Sequence, residues 1–386
     1  MFIRTGPNKI IAGVGRLAKK VLVFSENFGL GHQRAGQALD KGIKMVDPTA
    51  QVLHTDSIQQ SYPRMKKAFL GAYLKFISSF PNTWHKLYQN SRTKRDNKSS
   101  KELIHLLLAK KIMSIIEEFH PHAIVCTHPF PASVVSELKN RGLHIPLAGI
   151  ITDFDLHALW VDQKVDHYIF GDLKLKDSFE QFGFEPASAS FEGIPIDPMF
   201  NREKSRAEIK NRLQIDSLKP LILVAGGGWG LGDLGGITEQ LASQKVSGNV
   251  SVICGTNTGL AKKLQQRFVG YSGIFISEYV DNMHEYIQAA DVVVTKPGGL
   301  TSSECLAAGV PMVLFDVLYG QEYWNAKFLV EGGAALRCSR ISGIPQLVEE
   351  LIGNQALYSR MSANAKALGK PGAGLAAAGQ ILQLAE

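Results

Sequence analysis

The chain has 386 residues, 45% of them hydrophobic, with 37 glycines and a formal net charge of +7. That length exceeds what one apolar core usually serves, so two domains are expected. Cys126, Cys254, Cys305 and Cys338 are widely spaced with no CxxC pair, which favours buried reduced thiols over disulfides or a zinc site.

No stretch near the amino terminus has the apolar core and cleavage site of a signal peptide, and no run approaches about 18 uncharged apolar residues. The expected compartment is therefore the cytoplasm. The first predicted strand covers 20–25 and runs into Glu26-Asn27-Phe28-Gly29-Leu30-Gly31-His32, followed by an amphipathic helix to about 46 and a strand over 51–55. This is one βαβ unit. Between 62 and 98, nine Lys and Arg face one acid, giving +8 in that segment and −1 for everything else. Aromatic residues are interleaved with those charges.

A helix over 101–119 shows apolar positions at helical spacing and ends before Pro121. Strands follow over 123–127, 147–151 and 167–170. The segment 193–198 with the charged run 201–210 reads as a linker. The second half repeats the pattern, with strands over 221–225, 250–254, 274–277, 291–295, 310–315 and 334–337, and an alanine-rich helix over 373–386. Strands alternating with helices in both halves predict an α/β chain of two doubly wound, Rossmann-like domains facing each other. The expected boundaries are 1–197 and 198–372, with the helix 373–386 packing back on the first.

Three glycine-rich turns stand at predicted strand ends: 28–32, 226–230 and 296–299. Together they fit a cleft that needs close backbone approach from both sides. His32 starts a helix, where the dipole disfavours an imidazolium and keeps a general base neutral; it equally fits a residue bonding its own turn. Asp153 and His157 follow a strand and line the cleft, Asp153 being placed to orient a base or simply to cap a turn. No second cluster completes a metal ligand set there, and no metal is expected. Thr301-Ser302-Ser303-Glu304 reads either as a capping box or as a carboxylate poised for vicinal sugar hydroxyls. The basic segment fits an anionic bilayer, a nucleic acid or an ordinary packed helix. The apolar face shared by Leu70, Tyr73, Leu74, Ile77 and Phe80 favours the bilayer over nucleic acid.

The motifs FSENFGLGH, ITDFDLHALWV, FEGIPIDPMF, GGGWGLGDL and TKPGGLTSSECLAAGVPMVLFDVLYGQEYWN occur in an order that resembles the diacylglycerol glycosyltransferases. These comprise the monogalactosyldiacylglycerol synthases and processive glucosyldiacylglycerol synthases, grouped with the lipid II N-acetylglucosaminyltransferases under the GT-B architecture. The resemblance runs from about 20 to 335. It implies inverting, metal-independent transfer of galactose or glucose from a UDP-sugar to diacylglycerol, with no resident cofactor. The competing expectations are N-acetylglucosamine transfer to a polyprenyl-linked acceptor and a non-catalytic nucleotide-sugar or membrane-binding module. His32 matches the base, with Asp153 beside it. Gly227, Gly228, Gly298, Gly299 and Thr301 match the phosphate side, Glu304 the ribose ligand, and Gln321, Glu322 and Asn325 the sugar end. Gly31, His157 and Trp160 fall on the acceptor side. Lys66, Lys67, Phe69, Tyr73, Lys75, Phe76 and Trp84 fall in the membrane-associating segment, so a peripheral enzyme on anionic lipids is implied and nucleic acid is not. Trp229 and Asp155 depart from relatives and leave the sugar and acceptor contacts open.

Overall fold

A computed structural model describes residues 18–26, 30–56, 102–202, 205–317 and 320–386, with side chains of 102–107 excepted. The basic aromatic segment named above lies outside the described residues. Two six-stranded sheets organise the rest. In the first, β1 (Lys20–Phe24), β2 (Gln51–Thr55), β3 (Ala123–Cys126), β4 (Leu147–Ile150), β5 (His167–Ile169) and β6 (Ala189–Ser190) align as β2-β1-β3-β4-β5-β6. In the second, β7 (Leu221–Ala225), β8 (Asn249–Ile253), β9 (Ile274–Ser277), β10 (Val292–Thr295), β11 (Met312–Leu314) and β12 (Ala335–Arg337) align as β12-β11-β10-β7-β8-β9. The strand pairings among the described residues are parallel, for example Val21 with Ala123 and Val292 with Ile222.

The reason is visible in the strands. Val293 packs into one apolar cluster while Val292 and Val294 pack into another, so β10 is buried on both faces. Such strands need helices on both sides of the sheet, and parallel crossovers supply them. The principal helices are α1 (Leu30–Val46), α2 (Glu102–Phe119), α3 (Pro129–Asn140), α4 (Leu234–Ser243), α5 (Gly299–Ala308), α6 (Gln321–Glu331) and α7 (Ala373–Leu384). Strand order reverses between β1 and β3 in one sheet and between β7 and β10 in the other. Ligands of doubly wound folds bind outside the strand carboxyl ends at that reversal.

Several expectations change. The strand expected over 310–315 is shorter, because Val310 and Pro311 belong to the turn after the left-handed Gly309 (φ 67°). The two-residue β6 was too short to carry a periodic signal. Residues 193–198, on the connection between the two sheets, are buried: Ile194 and Ile196 are 1% exposed and share a cluster with Leu223 and Leu314 of the second sheet. Helix α7 returns to the first half, where Ala377, Ala378, Ile381 and Leu382 cover Leu39 and Ile43 of α1. Gly42 and Gly374 allow that close approach, since a Cβ at Gly42 would stand 2.4 Å from the Gly374 carbonyl oxygen.

Candidate active site

On the first side of the cleft, β1 leads to α1 and β3 leads to α3, and the two connections converge on His32. The Nδ1–H of His32 donates to the Thr127 carbonyl at 2.6 Å and lies 2.9 Å from the Thr152 hydroxyl oxygen. A carbonyl can only accept, so the proton of the neutral ring sits on Nδ1 and the lone pair on Nε2. Burial pushes the His32 pKa down to about 4, partly opposed by the Thr127 carbonyl. Burial, rather than the helix end considered from the sequence, is the leading cause of that lowering.

His128 caps α3, its Nδ1 accepting from the Phe130 N–H at 3.1 Å, and its ring stands edge-on to His32 with centroids 4.7 Å apart. Its pKa lies well below the usual range, first through burial and then through His32 and the buried His157. Gly31 faces Leu300 of the opposite half: a Cβ added to Gly31 would stand 4.0 Å from the Leu300 Cβ. Trp160 does not line the cleft. It is 2% exposed within the apolar core of the first sheet, beside Tyr168, whose hydroxyl donates to the Trp160 carbonyl at 3.0 Å.

On the second side, Gly227 and Gly228 follow β7, and Gly298 and Gly299 follow β10. Gly227 has φ 71°, a left-handed conformation natural to glycine, and a Cβ there would meet nothing within 4 Å. Gly298 likewise opens onto empty space, whereas a Cβ on Gly228 would strike Leu30 at 2.2 Å. A Cβ on Gly299 would lie 1.9 Å from the Thr152 carbonyl oxygen. Gly228 and Gly299 therefore admit the opposite half of the protein, while Gly227 and Gly298 leave room for a ligand.

Helix α5 starts at Gly299 with Gly298 as its cap, so Thr301 lies inside the first turn and the capping-box reading of Glu304 fails. Glu304 is 1% exposed and accepts from Arg34 Nη2 at 2.9 Å. Lys296, at the end of β10, is 8% exposed and lies 3.3 Å from Glu322 and 3.5 Å from Asp316. Gln321 and Glu322 open α6, both half-buried. Among the described residues, no group of three His, Cys, Asp or Glu side chains is placed to hold a metal ion.

The halves meet directly. Asn325 is fully buried; its Oδ1 accepts from the Phe154 N–H at 2.8 Å, and its Nδ2 donates to Asp153 Oδ1 at 2.9 Å and to the Pro297 carbonyl at 3.1 Å. Phe154 stacks on Phe328 with centroids 4.4 Å apart, and Lys174 lies over the same Phe328 ring. Two assignments change accordingly. Asn325 joins the two halves instead of facing a sugar, and Asp153 pairs with Asn325 rather than orienting His32. Burial nonetheless raises the Asp153 pKa, with the Asn325 amide opposing. Asn325→Ala should cost on the order of 1–3 kcal/mol, because it strands buried polar groups; thermal melts measure it, and an unchanged melting temperature would contradict the role.

Thr127, His128, Thr152, Arg34 and Lys296 were not singled out from the sequence. Only Lys296, directly before the Pro297-Gly298-Gly299 turn, carried a local signal. Residues 32–196 match the monogalactosyldiacylglycerol (MGDG) synthase family and residues 221–376 match the glycosyltransferase family 28 C-terminal domain. A processive diacylglycerol beta-glucosyltransferase of Bacillus licheniformis is 29% identical over 353 residues, covering 91% of each chain. Among solved structures, Acinetobacter baumannii MurG is similar with a TM-score of 0.59 at 17% identity, covering 95% of this chain and 99% of that one. The UDP-GlcNAc 2-epimerase of Neisseria meningitidis bound to UDP-GlcNAc gives 0.62 at 13% identity, covering 95% and 100%. Successive parts of the chain thus match an MGDG-synthase model and a glycosyltransferase family 28 C-terminal model, and the fold is the two-domain GT-B architecture.

Proposed function

We propose that this glycosyltransferase moves a hexose, glucose or galactose, from a UDP-sugar to the free hydroxyl of diacylglycerol at a membrane surface. The observation that carries the reading is His32, its Nδ1 proton engaged by Thr127, next to Gly31, whose added Cβ would stand 4.0 Å from the Cβ of Leu300 in the first turn of α5. The names of the curated relatives and the nucleotide-sugar complex among the structural neighbours support the donor and acceptor classes.

The chemistry follows from these groups. Nε2 of His32 takes the proton of the acceptor hydroxyl as its oxygen attacks the anomeric carbon. The bond from that carbon to the UDP oxygen breaks, and its electron pair leaves with the diphosphate. A single displacement inverts the anomeric centre. Gly227 and the first turn of α5, from Gly299 to Thr301, offer backbone N–H groups and a positive dipole to the departing charge. Thr301 lies on the same turn, Glu304 takes the ribose hydroxyls, and Gln321 and Glu322 stand toward the sugar. Lys296 adds a cation beside them. No metal or resident cofactor enters the scheme.

The segment 62–98, with Lys66, Lys67, Phe69, Tyr73, Lys75, Phe76 and Trp84, supplies the attachment to anionic lipids. No helix among the described residues is long and apolar enough to cross a membrane. Diacylglycerol offered in anionic and in neutral vesicles, with UDP-glucose and UDP-galactose supplied separately, tests the whole reading. A monoglycosylated or further extended diacylglycerol, formed faster on the anionic vesicles, is the expected product. No glycolipid with either donor would overturn it.

A further inference from the structure

Arg34 and Glu304 come from opposite halves and lie 270 positions apart in the chain, yet meet at 2.9 Å where the halves adjoin. The Glu304 side chain is 2% exposed and that of Arg34 is 23% exposed. Arginine–carboxylate pairs frequently align as a two-pronged fork, each carboxylate oxygen taking one N–H. Here only Oε1 is taken. Oε2 is buried and has no hydrogen-bond partner among the described residues. A buried acceptor left open carries a penalty that a folded protein normally avoids, and such atoms mark where a ligand belongs. Burial also pushes Glu304 toward its neutral acid, and Arg34 is the first influence that opposes this.

We propose that Arg34 is a positioning residue of the nucleotide site, contributed by the acceptor-side half, which fixes Glu304 with Oε1 occupied and Oε2 turned to receive a ribose hydroxyl. This rests on the reading of Glu304 as the ribose ligand. Two things follow. The nucleotide site is complete only when the halves are closed, because one of its groups arrives from across the cleft. Nucleotide affinity and closure are therefore linked, with a coupling that deletion of Arg34 removes. The same helix start carries His32, so ordering α1 against the ribose acid also sets the base relative to the donor.

The test is titration of UDP, and of UDP lacking the ribose hydroxyls, into wild type, Arg34→Ala, Arg34→Lys, Glu304→Gln and the Arg34→Ala/Glu304→Gln double variant. Melting curves report that each variant is folded. Arg34→Ala should weaken UDP binding by roughly tenfold or more, increasingly so as pH falls, because a Glu304 without its guanidinium protonates more readily. Arg34→Lys should recover part of the loss. The double variant should bind no worse than Glu304→Gln alone, since both changes remove one interaction. UDP without ribose hydroxyls should not distinguish Arg34→Ala from wild type. Wild-type affinity for UDP in Arg34→Ala, or tighter binding, would overturn the proposal and make Arg34 a plug. A wild-type protein that binds no UDP would instead overturn the donor-site reading on which it rests.

Discussion

Transfer by His32→Ala falls by roughly 10²–10⁴, the range in which a positioned base contributes, while UDP still binds. The expectation rests on three features of the site. The Nδ1 proton is engaged by a carbonyl that can only accept, which leaves Nε2 as the basic atom. Burial holds the pKa down at about 4, so the ring is neutral throughout the physiological range. The glycine turns and helix start proposed to hold the nucleotide lie on the other half, so removing the imidazole leaves them in place. The pH profile gives a second check. The acidic limb of activity should fall near pH 4 rather than near the 6.5 of an ordinary imidazole. The sign for stability follows: between these values the unfolded chain binds a proton that folded His32 refuses, so stability declines as pH drops through that window. Near-normal transfer by His32→Ala, or a limb at 6.5, would remove His32 from the chemistry.

The second large effect distinguishes neighbouring glycines. At Gly299 a methyl group would stand 1.9 Å from the Thr152 carbonyl oxygen and 2.9 Å from its carbon. The obstruction is backbone, which cannot rotate aside, so Gly299→Ala must push the halves apart. Thr152 also touches His32, so the base moves with it. A displacement of about 1 Å at a reacting group can cost about 10²-fold, and Gly299→Ala should lose transfer on that order. Gly298→Ala is the contrast. Its φ of −73° suits alanine and its added Cβ meets nothing within 4 Å, so the melting temperature should hold while UDP binding weakens through the space taken from the diphosphate. Steady-state kinetics and UDP titration on both variants separate the two roles. Full activity in Gly299→Ala, or unchanged UDP affinity in Gly298→Ala, would contradict the respective assignment.

The sequence reveals the parts of this protein whose cause is local. A continuous β-branched run such as Val292-Val293-Val294 announces a doubly buried parallel strand, and the glycine turn after it announces the start of a helix. The fold class followed from the repeated alternation of strand and helix. What stayed hidden was produced by distance along the chain. Asn325 meets Asp153 across 172 positions, and no property of either residue marks the other. Trp160 lies in a motif with charged neighbours, but tertiary packing carries it into the first core. The capping-box pattern at Thr301 failed because two glycines start the helix earlier than the side-chain pattern indicates. His32 was legible as a neutral ring, yet the groups that orient it, Thr127 and Thr152, sit at the ends of other strands and carry no spacing signature.

Helix α7 gives the protein a schedule. It covers one face of helix α1, and Lys19 Nζ reaches the Leu382 carbonyl across 363 positions of chain. At roughly 5–20 residues per second of synthesis, the first partner waits about 20–70 s for the second. During that interval Leu39 and Ile43 lack their cover, and the helix carrying His32 has not been anchored. The second sheet is made in between. Both sheets are therefore synthesised before α1 receives its cover.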